Sequence, residues 1–498
     1  MVKRAAQAWA FAAILLLPNY IDLASGAGDA RMRSPVPLTR IALAHLTDMA
    51  IVATGFLVLM ALLHRLPGWD RIRWALMALL PPLLFERNLD VIPFNVPRLA
   101  VLAAGLAWTG VLVFLILKHP KLASQLSTAG SSLLAGFAVF ALVMSFQLAR
   151  AAQWRPGPQS FSHEIPPAPA EKPRLVWIIF DELAYEPVFE DRDSSVQMPN
   201  FDRLRKESTL YTDMTPIADR TTRVVPSLQL GRTVTDVEYT PQNRYLVQID
   251  DRSAWEPFDR DASLFAMAKR SGLTTSIVGW YVAYCSIFVE IATDCYWANE
   301  DAQDRGPTST SASYAANVWF PLRILAEKTF APSRGWADMA AWNAEGHEDA
   351  VKDLSQHALE TVADSHADIL YLHLPVPHPP AVWDRRKATF AVGGSYLDSL
   401  DLSDRLLGQM LDALQAQPRW AQTTLIVQGD HSWRTEMWRP LPGWSAEDER
   451  ISHGGRWEPR PVLLIHAAGQ RSPQTVSTPT SVMYVHDAVA ADIQSILK

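Results

Sequence analysis

"LIVQGDHSWR", Leu425 to Arg434, runs as an apolar strand and stops at a carboxylate and an imidazole side by side. A short continuous apolar run fits a strand buried on both faces, and such strands belong to parallel sheets covered by helices. A strand ends where its side chains meet solvent or a cleft. Asp430 and His431 therefore open either a plain loop or half of a metal site.

The segments around this stretch repeat its pattern. "RLVWIIF" (174–180), "TTSIVGWY" (274–281), "ILYLHL" (369–374) and "RPVLLIH" (460–466) read as strands. Between them, "NFDRLRKES", "SLFAMAKRSG", "EDAVKDLSQHALETVADS" and "YLDSLDLSDRLLGQMLDALQAQ" read as helices. Strands alternating with helices predict an α/β domain with a mostly parallel central sheet flanked by helices. Ligands bind such sheets beyond the carboxyl ends of the strands. At those ends stand Asp181 and Glu182, then His373 and His378 of "HLPVPHPP", then Asp430 and His431, with His453 ahead of the last strong strand. A single strand-end Asp is ordinarily a helix cap. Carboxylates recurring with imidazoles form the ligand set of a divalent cation such as Zn or Mn.

The chain has 498 residues and a formal charge of -7, which gives no case for nucleic-acid binding. Its apolar residues crowd into the first third. Five stretches stand out: Ala8 to Leu23, Ile41 to Leu63, Trp74 to about Phe94, Leu99 to Leu117, and Leu133 to Ala149. We read residues 1–150 as a transmembrane region of about five helices, 151–173 as a Pro-rich linker, and 174–498 as the α/β domain. With the N-terminus inside, "MVKR", "HRLPGWDRIR" and "KHPK" become inside loops, though the outside loops also carry arginines. An odd number of spans then puts the domain outside the cytoplasm. Cys285 and Cys295, the only cysteines, suit a disulfide in such a place, with two buried free thiols as the alternative. "WRTEMWRPLPGW" (433–444) adjoins the strand-end residues and reads either as a sugar or lipid contact or as core packing.

Hydrolytic or transfer chemistry also needs a nucleophile. In "IADRTTRVVPSLQLGR" (217–232), Thr221 and Thr222 precede what looks like a helix start. A hydroxyl there sees free backbone N–H groups and the positive dipole end, and it equally suits a helix cap.

The order "MPNFDRLRKES", "PSLQLGR", "PHPP", "GDHSWR" and "HGGRWEPRPVLL" over about residues 174–470 resembles the alkaline-phosphatase/sulfatase superfamily. It looks specifically like the membrane-anchored branch with lipoteichoic acid synthases and phosphoethanolamine or phosphoglycerol transferases. The resemblance implies Asp181, Asp430 and His431 as metal ligands. It implies Thr221 or Thr222 as nucleophile, and His378 and His453 as contacts to the transferred group. It also implies one or two divalent ions, Zn or Mn ahead of Mg or Ca. Formylglycine sulfatases carry Cys or Ser two residues before the Pro, where this chain has Val224. The expected function is thus a membrane-bound phosphotransferase or phosphodiesterase working through phospho-Thr. Its partners would be a phospholipid donor and an envelope lipid or glycan acceptor, with the domain on the periplasmic side of the inner membrane. The alternatives are a sulfatase-like ester hydrolase without formylglycine and an inactive structural relative.

Overall fold

The structure is a computed structural model that describes residues 2–25, 37–88, 98–240, 244–250, 254–299, 313–330, 332–364, 366–455 and 460–496. The end of the third apolar stretch, part of "HGGRWEPRP" and the arginines at 31 and 33 lie outside the described residues.

The chain forms two compact units. The first is helical: Val2–Leu15, Leu17–Ser25, Thr39–Leu63, Trp69–Arg87, Arg98–Lys118, Pro120–Gly136 and Ala138–Ala151. Val2–Leu15 runs alongside the last two helices, with Lys3 Nζ donating to Ser132 Oγ (3.1 Å) and Trp9 Nε1 to Ser145 Oγ (3.0 Å). The helix Tyr314–Phe330, from the middle of the chain, also belongs here. Its Tyr314 hydroxyl lies 2.6 Å from Thr47 Oγ1 on Thr39–Leu63.

About five spans were expected. Among the described residues, two helices meet the length and apolarity of a bilayer crossing: Thr39–Leu63 and Pro120–Ala151. The other helices of this unit differ among themselves. The first stretch breaks near Leu16 into two short helices. Trp69–Arg87 carries Asp70, Arg71, Arg73, Glu86 and Arg87. Arg98–Lys118 is apolar between its two terminal basic residues.

The second unit is the α/β domain. Its main sheet has nine strands, labelled here in chain order: β1 Ser160–Ser162, β2 Arg174–Phe180, β3 Thr209–Tyr211, β4 Thr275–Trp280, β5 Asp294–Ala298, β6 Ile369–Leu374, β7 Thr423–Gly429, β8 Leu463–His466 and β9 Gln474–Val476. Their spatial order is β1-β5-β4-β6-β2-β7-β8-β3-β9. The five strands from β5 to β7 are mutually parallel, whereas β1 and β8 pair antiparallel with their neighbours. Every residue of β2 is buried, as continuous apolar runs in a doubly covered sheet require. The helix Tyr396–Gln415 shares its core, with Leu397, Leu400 and Leu407 in one cluster with Val176, Ile178 and Phe180, and is started by a capping box in which Ser395 and Asp398 exchange hydrogen bonds.

Register determines what comes together. Phe180 is paired with Leu374 on one side and Gly429 on the other. The residues just past β2 and β7 therefore stand in one row at the carboxyl edge of the sheet. The Cys285–Cys295 disulfide ties the turn at Tyr284–Ile287 to β5.

Candidate active site

Asp181 follows β2 and Asp430 follows β7, and both are buried. Gly429 fixes the second of these, because a Cβ at that position would collide with the Leu183 carbonyl. Asp430 Oδ1 accepts from the backbone N–H groups of Glu182 (3.1 Å) and His431 (2.7 Å). Asp181 Oδ2 accepts from Trp280 Nε1 at the end of β4 (2.8 Å).

Into this pair comes the start of the helix Thr221–Leu230. Thr221 Oγ1 lies 2.8 Å from Asp430 Oδ2 and 3.3 Å from Asp181 Oδ2. No hydrogen bond joins Thr222 to either carboxylate. The two threonines are about 100° apart on a helix, so only one hydroxyl can face the pair. The capping alternative does not describe them: the cap residue is Arg220, and no side chain caps the helix. Val224, where formylglycine would have to arise, is a buried core residue three positions further on.

The imidazoles complete the set. His431 Nδ1 faces the carbonyl of Ser432 (3.0 Å), which can only accept, so Nδ1 carries the proton. Nε2 lies 3.4 Å from Asp181 Oδ1 and 3.5 Å from Asp430 Oδ2. His373, on β6, points Nδ1 at the Tyr284 hydroxyl (2.8 Å), which lies 2.9 Å from that of Tyr371. Donor atoms of Asp181, His373 and Asp430 lie within 4.8 Å of one another.

Asp181 Oδ1, His373 Nε2 and His431 Nε2 are buried without a hydrogen-bond partner. Burial, reinforced by the Asp430 charge, holds the Asp181 carboxyl well above its usual range. Burial also acts on Asp430, but positive charge on the neighbouring imidazoles, with the hydrogen bonds from Thr221 and from the Glu182 backbone, would hold it below. Burial pushes the His373 imidazole down to about 4, leaving it neutral. Unpartnered ring nitrogens and a carboxylate oxygen converge on one buried point. This donor set, two carboxyl groups with imidazoles, fits a borderline divalent metal.

Glu182 does not join the cluster. It adopts φ +70°, and its carboxylate is held by Arg434 (2.5 Å) and Trp438 Nε1 (2.8 Å). The Trp-rich segment is mainly packing. Trp433 stacks on Tyr396 at 4.1 Å, and Trp433 and Trp438 are buried. His378 sits one ring away from the carboxylates. Trp280, bonded to Asp181, meets its imidazole edge-on at 5.9 Å and that of His347 at 5.5 Å. Burial, then the Arg434 charge, holds His378 well below its usual range. His453 stands elsewhere, in an exposed turn, with Nε2 3.2 Å from Asp191. Sequence reading noted His373 but did not assign it, and it passed over Trp280 and His347. A His inside an otherwise apolar strand was the available signal for the first. An indole at a strand end and a His on a helix gave none.

The family model described as Sulfatase matches residues 173–491. Solved structures similar to the chain include PsFucS1 sulfatase from Pseudoalteromonas sp., with 12% identity over 65% of this chain and 68% of that one, at a TM-score of 0.43. The phosphonate monoester hydrolase of Agrobacterium radiobacter is 12% identical over 65% and 74%, at a TM-score of 0.37. Murine ectonucleotide pyrophosphatase/phosphodiesterase 5 in complex with AMP is 12% identical over 65% and 95%, at a TM-score of 0.35. No curated protein matches. On the extent of the family match, the chain belongs to the sulfatase family.

Proposed function

We propose that this protein is a membrane-bound, metal-dependent phosphotransferase or phosphodiesterase that works through a phospho-Thr221 intermediate. One observation carries the reading: a buried threonine hydroxyl, at a helix start, within hydrogen-bond reach of two buried carboxyl groups, beside imidazole nitrogens that have no hydrogen-bond partner. Asp181, Asp430, His431 and His373, with the Thr221 oxygen, are the residues that would hold one or two divalent ions, Zn or Mn ahead of Mg or Ca. When bound, such an ion supplies positive charge for an alkoxide and for the phosphoryl oxygens.

The chain's own groups do the rest. The Thr221 proton already points at a carboxylate oxygen 2.8 Å away. Free N–H groups of the first helical turn face the phosphoryl oxygens. Thr221 Oγ1 forms a bond to phosphorus as the bond to the donor's alkoxide breaks. An acceptor hydroxyl then reverses the process, taking the phosphoryl group and returning the proton to Thr221. His378, edge-on to Trp280, is a candidate to carry a proton for the leaving or entering oxygen. Val224 in place of a formylglycine precursor speaks against sulfate-ester chemistry of the formylglycine type. The apolar helices support a lipid donor and an envelope lipid or glycan acceptor, with the α/β domain on the periplasmic side of the inner membrane.

The test is to mix the metal-loaded protein with a phosphodiester donor, quench it, and map the peptide 217–232 by mass spectrometry. The expected result is a phosphoryl adduct on Thr221. An adduct on Thr222, or turnover with no adduct on either residue, would overturn the mechanism.

A further inference from the structure

The helical unit contains a cavity of about 770 Å³ lined by residues from the start of Val2–Leu15, the end of Thr39–Leu63, the start of Trp69–Arg87 and the middle of Pro120–Gly136. It lies at the end of the bundle away from Ala151. Thr39, at the far end of its helix, bonds the carbonyl of Ala152 (2.6 Å), while Lys3 bonds Ser132.

The lining is one-sided in charge. Lys3, Arg4 and Arg73 contribute cations, and no carboxylate lines the cavity. Among the described residues none of the three forms a salt bridge. Lys3 reaches only the Ser132 hydroxyl, and Arg73 Nε is buried without a hydrogen-bond partner. A buried guanidinium N–H without an acceptor is costly, and three cations around one space repel one another. An anion in the cavity relieves both.

The rest of the lining says what else that anion carries. Phe56, Leu57 and Met60 form an apolar wall. Their neighbours Val58, Leu59 and Leu62 are about half exposed on the same helix (53%, 50% and 56%). A phosphate group held by the cations would thus have an apolar helix surface beside it for hydrocarbon. Basic pockets between membrane helices recognise anionic headgroups in this way.

We propose that Lys3, Arg4 and Arg73 form a binding site for the headgroup of an anionic phospholipid, whose chains lie against the Thr39–Leu63 helix. None of these residues belongs to the candidate active site, and the role assigned to the lipid is that of a bound structural partner. The inference rests on the reading that the helical unit lies in a bilayer.

Native mass spectrometry tests it, with the full chain in a neutral maltoside detergent. The probes are dioctanoyl phosphatidylglycerol, dioctanoyl phosphatidylcholine and inorganic phosphate. The wild-type protein should retain one phosphatidylglycerol, roughly fivefold or more in preference to phosphatidylcholine. Arg73→Gln should lose that preference. So should the double variant Lys3→Gln/Arg4→Gln, whose changes sit in an exposed first helical turn and leave the bundle folded. Phosphodiester turnover in detergent should be unchanged in both. Equal retention of the two lipids by the wild type would overturn the site, as would a preference that survives in the double variant. Full displacement by millimolar phosphate would show a free-anion site and overturn the lipid assignment. A chain that stays monodisperse without detergent would instead remove the membrane reading on which the proposal stands.

Discussion

Thr221 and Thr222 share a chemistry and differ in direction. The helix begins at Thr221, and its hydroxyl points at Asp430 and Asp181, while Thr222 is only half-buried on a different face. Replacing each by alanine should separate them. Thr221→Ala should lower turnover by roughly 10⁴-fold or more, because a covalent route disappears with its nucleophile. Thr222→Ala should change turnover little and stability by within about 0.5 kcal/mol. Steady-state rates on a phosphodiester read both, and equal losses in the two variants would contradict the geometry. At this scale much of the cluster was legible, because Asp181, Asp430 and His431 end strands whose apolar runs are plain in the sequence. The choice between adjacent threonines was not legible, since it depends on which residue starts the helix. Glu182 could not be placed either: its positive φ and its pairing with Arg434, 252 positions away, are tertiary facts.

The strands that present the site are held at their other ends by a bracket of polar contacts. Arg419, ahead of β7, donates to the carbonyls of Lys172, Pro173, His366 and Ala367, and to Asp368 Oδ1 (2.9 Å). Asp368, buried at the start of β6, also accepts from Lys172 Nζ (2.6 Å) and from Thr274 N and Oγ1 (both 3.1 Å). Burial opposes its charge, but Lys172, Thr274 and Arg419 win and hold the carboxyl below its usual range. A depressed folded-state pKa gives stability that is present above the unfolded value of about 3.9 and is lost as pH falls through the folded value. Asp368→Asn should therefore cost about 1–3 kcal/mol near neutral pH. The deficit should shrink as the pH is taken below about 3. Urea midpoints at the two pH values measure it, and a deficit unchanged by acid would show that the charge is not what holds these strands. The strands themselves were readable from alternation and apolar runs. Their order β4-β6-β2-β7 was not, because crossovers through long helices leave neighbour choice to packing.

Two units share this chain, and the sequence showed the division more clearly than its detail. The first third read as apolar helices, and two of them qualify as spans among the described residues. The helix Tyr314–Phe330 belongs to the helical unit although it lies between β5 and β6, and no local pattern announces that. The Cys285–Cys295 disulfide predicts an oxidising compartment for the α/β domain. An alkylating reagent applied to the denatured, unreduced protein from its native source should label neither Cys285 nor Cys295, and both after reduction. Labelling without reduction would return the domain to a reducing compartment. All of this leads to one claim, that the carboxyl edge of the sheet holds a divalent ion against Thr221. Anomalous diffraction from crystals of the metal-loaded protein tests it directly. The account predicts an anomalous peak in contact with Asp181, Thr221, Asp430 and His431. A structure with full metal occupancy elsewhere and no peak at this cluster would contradict it.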